Sequence, residues 1–160
     1  MKAATLKELK TELSNLPKEE LLALCLHLSK YKKENKEMLS YLVFESHQEK
    51  EYIEGVKKEI EALFEIINTS SFYLIKKSIR KILRHTKKHI IYSKKKETEV
   101  DLLIHFCIQL AQMKPSFKNN TTLDNMYNRI LESIQKTVRS MHDDLQYDYK
   151  TSIEQLKSHR

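Results

Sequence analysis

The sequence predicts an all-α fold, an irregular helical bundle or a stack of helical hairpins of the α-α superhelix kind, with about seven to eight helices. Three observations carry this. One Gly and two Pro in 160 residues leave too little turn chemistry for a strand-and-turn or βαβ architecture. Lys, Glu and Leu, all good helix formers, dominate the composition. Apolar residues recur at helical spacing in one segment after another.

The first helix is expected over 5–13, where Thr5 and Glu8 stand at capping-box spacing and Leu6, Leu9, Leu13 and Leu16 share a face. Pro17 suits the first position of the second helix, and Glu19 and Glu20 favour its positive dipole end. Leu21, Leu24, Cys25, Leu28 and Tyr31 form its expected buried stripe. The polar stretch 32–36 reads as a short connection or an exposed helical segment. A short third helix over 37–45 carries Met38, Leu39, Leu42 and Val43. The fourth, over 49–67, buries Tyr52, Ile53, Val56, Ile60, Leu63, Phe64 and Ile67, with Gly55 inside it as a weak point suited to close packing or a bend.

Asn68, Thr69, Ser70 and Ser71 read as a turn and N-cap cluster ahead of a fifth helix over 72–92. The sixth, over 97–113, is apolar nearly all round from Leu102 to Ala111, which marks it as the most buried. Pro115 ends it, and 116–121 reads as a polar loop. The seventh starts near Thr122 and presents Leu123, Met126, Tyr127, Ile130, Leu131, Ile134, Val138 and Met141. A break near His142 precedes a weaker last helix carrying Leu145, Tyr149, Ile153 and Leu156. No repeat period emerges, so any solenoid character is irregular. The length suits one helical domain over 1–160.

Composition also removes function classes. With Gly55 alone, neither a P-loop nor a dinucleotide-binding glycine turn can be built. Cys25 and Cys107 lie in apolar stretches and read as small core residues of a reducing compartment. The N-terminus leads directly into a charged amphipathic pattern, and the longest apolar run, from Leu21 to Leu26, is too short to span a bilayer. A cytoplasmic protein without a transmembrane segment is the expectation.

The opening Leu6-Lys7-Glu8-Leu9, followed by Leu16-Pro17-Lys18-Glu19-Glu20-Leu21-Leu22, resembles the start of a family of uncharacterised bacterial all-helical proteins, a domain of unknown function. That family has a lysine-rich helix at mid-chain, then an apolar helix, then a helix bearing Asn and Tyr. Ser78-Ile79-Arg80-Lys81-Ile82, Val100-Asp101-Leu102-Leu103-Ile104 and Asn125-Met126-Tyr127-Asn128 look like those parts. The resemblance covers nearly the whole chain. It implies an all-helical fold and a bacterial origin, and it brings no activity, cofactor or site residue with it.

Charge is the one asymmetric feature. From Ile66 through Lys96 there is no acidic residue, while Lys76, Lys77, Arg80, Lys81, Arg84, Lys87, Lys88, Lys94, Lys95 and Lys96 all fall there. The other 19 basic residues are outnumbered by the 22 acidic ones, so the net +7 belongs to one helix and the loop after it. Phe72, Ile75, Ile79, Ile82, Leu83, Thr86 and Ile90 share the inward face, and Lys77, Lys81, Arg84 and Lys88 fall opposite. Like charges four residues apart weaken a helix by a few tenths of a kcal/mol per pair. A segment kept cationic at that cost suits the phosphates of a nucleic acid. Only Tyr73 and Tyr92 are near enough to stack outward, so such binding would follow the backbone rather than the bases. The competing expectation is a solvated face, part of whose charge is absorbed by ion pairs to Glu49, Glu51, Glu54, Glu59, Glu61 and Glu65 of the preceding helix in an antiparallel hairpin.

Other chemistry is thinner. His85 and His89 have the i,i+4 spacing of helical metal ligands, but Thr86 stands where a metalloprotease motif has Glu and lysines crowd both rings, so they read as further basic surface. His142, Asp143, Asp144 and Asp148 read as a cap and first turn rather than an ion site. Cys25 with His27, and His105 with Cys107, are two apart and diverge on a helix. Ser46 and His47 are adjacent and make no triad. His105 reads as a satisfied core histidine. No catalytic, metal or cofactor site is expected. The chain reads as a non-enzymatic interaction or scaffold domain that binds another protein or itself, with nucleic-acid binding through the basic helix 72–96 as the alternative.

Overall fold

The computed structural model describes residues 2–159, and among them every regular element is helical. The order is α1 (Leu6–Ser14), α2 (Lys18–Tyr31), α3 (Lys33–Ser40), a π-helical segment Tyr41–Glu45, α4 (Glu49–Glu65), α5 (Phe72–Ser93), α6 (Lys96–Gln112), a 3₁₀ turn Phe117–Asn119, α7 (Thr121–Arg139) and α8 (Asp143–Ser158). No described helix is long and apolar enough to cross a membrane. The elements fall into two compact units, Met1–Phe44 and Glu45–Arg160.

In the first unit, α1 opens on the expected capping box. Thr5 Oγ1 accepts from the Glu8 N–H at 3.3 Å, and the Glu8 carboxylate accepts from the Thr5 N–H at 2.7 Å. These bonds hold the Glu8 carboxyl below its ordinary range. The polar stretch after α2 is helical from Lys33 on, and Asn35 Nδ2 ties the turn by donating to the Leu28 carbonyl at 2.8 Å. The expected stripe of α2 is not buried. Leu21 is half-buried, while Leu24, Cys25, Leu28 and Tyr31 are exposed, and no residue of α1, α2 or α3 is buried. A helix covers its apolar face only where a second layer lies over it, and three short helices do not supply one for each other.

The second unit has a conventional core. α6 packs against α4, α5, α7 and α8, and Val100, Leu102, Leu103, Phe106, Cys107 and Leu110 are all buried, as its apolar run predicts. Val56 and Ile60 of α4, Ile75, Ile79 and Ile82 of α5, and Ile134 of α7 meet it from their own inward faces. Tyr127 is fully buried, yet its hydroxyl is satisfied by donation to the Leu156 carbonyl at 2.8 Å. Phe117, in the stretch expected as a polar loop, is buried and stacks on Tyr127 with ring centroids 4.6 Å apart. The break before α8 is as expected. His142 is the N-cap, its Nδ1 accepting from the Asp144 N–H at 3.4 Å, with Asp143 and Asp144 in the first turn. Gly55 serves neither close packing nor a bend, because it is exposed and a Cβ built on it meets nothing within 4 Å.

Candidate functional site

Ser71 starts α5, its Oγ accepting from the Leu74 N–H at 3.4 Å. The rotation of the helix is then set by Ile75, Ile79, Ile82 and Thr86, all buried on one side. Thr86 brings a hydroxyl into that apolar face and satisfies it on the Ile82 carbonyl at 3.0 Å. With this face fixed, Lys77, Arg80, Lys81, Arg84 and Lys87 are exposed, and Lys76 and Lys88 are half-buried on the flanks. The five exposed cations span about 15 Å of helix at 1.5 Å per residue.

Ion pairing to α4 takes up little of the charge: of the ten basic residues, Lys95 pairs with Glu49, and the α5 face stays solvated. α4 and α5 do run antiparallel, since Tyr52 meets His89 while Glu59 meets His85. The next glutamates, however, do not meet the exposed cations of α5. Glu54 pairs with Lys57 of its own helix at 2.7 Å, Glu59 turns to His85 at 2.9 Å, and Glu61 lies 3.1 Å from His105 Nε2 on α6. Among the described residues, Lys76, Lys77, Arg80, Lys81, Arg84, Lys87 and Lys94 have no acidic partner.

The three lysines that follow α5 behave differently from those along it. Lys94 is exposed and caps α5 in the left-handed region at φ 57°. Lys95 Nζ is held 2.7 Å from Glu49 Oε2 and donates to the Ser46 carbonyl at 3.2 Å. Lys96 Nζ donates to the Ser140 carbonyl at 2.9 Å. Of the ten basic residues, five therefore stand exposed on α5 and two lysines fasten the chain. Tyr92, expected as an outward aromatic, is buried, with its ring beside that of His89 and the centroids 5.6 Å apart. Tyr73 is exposed as expected.

His85 and His89 do not extend the basic surface. Both are half-buried and turned toward α4, where Glu59 lies between them, 2.9 Å from His85 Nε2 and 3.8 Å from His89 Nε2. The sequence offered the spacing of the two histidines, but Glu59 joins them only through the pairing of two helices. His105 is half-buried, and burial holds its imidazole below the ordinary value against the raising pull of the Glu61 carboxylate. Cys107 is buried, and burial pushes its thiol up to about 12, so it is not a nucleophile at neutral pH. Cys25, expected in a core, is an exposed free thiol.

A second surface lies in the first unit. A groove of about 470 Å³ between α1 and α2 is lined by Leu6, Leu9, Leu13 and Leu21, with Lys10 and Ser14 at its edge. Leu22, Leu24, Leu26 and Leu28 extend the apolar exposure along α2. No family model, curated protein or solved structure matches the chain.

Proposed function

We propose that the chain is a non-enzymatic helical interaction domain that self-associates through its N-terminal unit. The observation that carries this reading is that α1, α2 and α3 bury none of their residues although leucine is abundant in them. Large exposed apolar surfaces mark interaction sites, and the groove lined by Leu6, Leu9, Leu13 and Leu21 is the part of this one that is continuous. The occupant argued for is a second copy. α1 is an amphipathic helix whose Leu6, Leu9 and Leu13 form a stripe suited to the groove that these same residues line with Leu21. Lys and Glu alternate around that stripe, so two copies meet without a single-sign field, and a two-fold interface would be self-complementary.

Sedimentation equilibrium over about a hundredfold range of concentration tests this by mass action. The full chain is expected to form dimers, and Leu9→Asp with Leu13→Asp is expected to return it to a monomer of unchanged helicity. A wild-type chain monomeric throughout would sink self-association and leave the leucine surface to a different protein.

A second reading rests on a separate observation, the five exposed α5 cations without acidic partners. We propose that this face holds nucleic-acid phosphates, without base readout. Fluorescence anisotropy with labelled DNA and RNA at low and physiological salt checks it. If all five cations engage phosphates, log K is expected to fall with log salt at a slope near −4 to −5 on duplex DNA, roughly 0.9 per contact. Changing Lys77, Arg80, Lys81, Arg84 and Lys87 to Gln should abolish binding while the circular dichroism spectrum stays the same. No binding at low salt would remove this reading.

A further inference from the structure

We propose that Glu59, His85 and His89 form a binding site for a borderline divalent cation of the zinc type, with an open coordination position. The argument begins with geometry. His85 and His89 are one helical turn apart on α5, and their rings meet edge to face with centroids 4.7 Å apart. Glu59 projects from the antiparallel α4, and the three ligand atoms lie within 4.8 Å of one another. Ligands of a tetrahedral ion at about 2.0–2.1 Å stand about 3.3 Å apart. The Glu59 Oε2 separations of 2.9 Å to His85 Nε2 and 3.8 Å to His89 Nε2 bracket that value. The first distance is a direct hydrogen bond that an ion would replace, and the second is too long for one, so Glu59 faces His89 across a gap that an ion can bridge.

The surroundings prepare the donors. Tyr52 Oη is 2.8 Å from His89 Nδ1 and also donates to the His89 carbonyl at 3.4 Å. Tyr52 thereby engages Nδ1 and leaves Nε2 as the ring nitrogen that faces Glu59. A hydrogen-bond partner on the non-ligating nitrogen, which orients the ring, is a regular feature of histidine metal ligands. Tyr52 is buried and the Tyr92 ring lies 5.6 Å from that of His89, so the imidazole cannot easily swing away.

Access is one-sided. The side chains of His85 and His89 are 22% and 13% exposed, whereas that of Glu59 is 57% exposed. An ion would enter past the carboxylate and keep water on that side. Two imidazoles and one carboxylate suit zinc and its neighbours, with copper and nickel binding more tightly and magnesium poorly. Arg84 and Lys88 flank the histidines in sequence and oppose a cation. Arg84 is exposed, and salt screens its charge over roughly one Debye length. The site is therefore expected to bind more weakly than a closed four-ligand structural site.

The test is a titration of the full chain with Co²⁺, followed by visible absorption, and a calorimetric titration with Zn²⁺. One equivalent is expected in each, with Zn²⁺ displacing Co²⁺. Glu59→Gln and His85→Asn are each expected to weaken Zn²⁺ binding by at least about tenfold, and the double variant to abolish it. Tyr52→Phe, which touches no ligand atom, should weaken it by about tenfold through the lost orientation of His89. His27→Asn, an exposed histidine of the other unit, should leave it unchanged. Because Glu59 is exposed, Glu59→Gln keeps the test decisive even where a histidine variant folds poorly by circular dichroism. No isotherm with either ion would overturn the proposal and leave a hydrogen-bond network alone, and so would undiminished binding in the double variant.

Discussion

At the scale of single residues, the side chains that matter most are those whose environment differs from the one their type prefers. Gly55 stands in the middle of α4, exposed, with open space where a Cβ would be. The backbone freedom it loses on folding is not repaid by any contact. Gly55→Ala is expected to stabilise the chain by about 0.5–1 kcal/mol, read as a higher urea midpoint at unchanged slope. His105 is the opposite case, an ionisable ring held half-buried on α6 with its imidazole below the ordinary 6.5 because burial disfavours the charged form. The folded chain then binds fewer protons at this ring than the unfolded chain does. Stability is full above 6.5 and is lost as the pH falls through the lowered folded value. His105→Gln removes that term. Thermal midpoints measured from about pH 8 down to about pH 5 should fall less steeply in the variant than in the wild type, and parallel curves would sink the assignment.

At the scale of elements, Glu49 joins three helices. It lies in the first turn of α4, and its Oε1 accepts from Ser93 Oγ at the end of α5 and from Thr98 Oγ1 in α6, each at 2.5 Å. Its Oε2 holds Lys95 in the connection between them at 2.7 Å. Thr98 is fully buried, so loss of the carboxylate leaves that hydroxyl with fewer partners inside the core. Glu49→Ala is expected to destabilise by about 2 kcal/mol, within the range for hydrogen bonds to a charged group, with Glu49→Gln intermediate. Chemical denaturation checks both. An effect below about 0.5 kcal/mol would place Glu49 with ordinary surface residues.

The helices themselves were largely legible because each is announced locally. Thr5 with Glu8, Ser71, and His142 with its two aspartates mark starts through short-range hydrogen bonding, and the apolar run of α6 declares its central place. What was not legible depends on which element lies opposite. A leucine stripe looks the same whether or not another helix covers it, so α2 reads as buried and is not. Phe117 in a polar stretch, stacked on Tyr127, and Glu59 between two histidines owe their positions to other elements. The cationic face of α5 was legible because acidic residues are absent from a whole segment. Its freedom from α4 was not, because it turns on where individual glutamates point.

At the scale of the whole molecule, the two units differ in how their apolar residues are covered. Glu45–Arg160 encloses a core in which Ile60, Ile75, Ile79, Leu102, Phe106 and Ile134 are all sealed from solvent. Of residues 2–44, only Tyr41 is buried, and Leu6 remains 87% exposed. Local stability follows buried apolar contact, so α1 and α2 are expected to open far more readily than α5, α6 and α7. Their opening should also depend on association, because a partner copy that binds only the formed helices stabilises them by mass action. Amide hydrogen exchange at two protein concentrations separates these contributions. Rapid exchange in α1 and α2 is expected in dilute solution and slower exchange in concentrated solution, with α6 and α7 protected equally in both. Protection of α1 and α2 that does not change with concentration would mean that these helices are stable without a second copy, and it would remove the main support for self-association through their leucines.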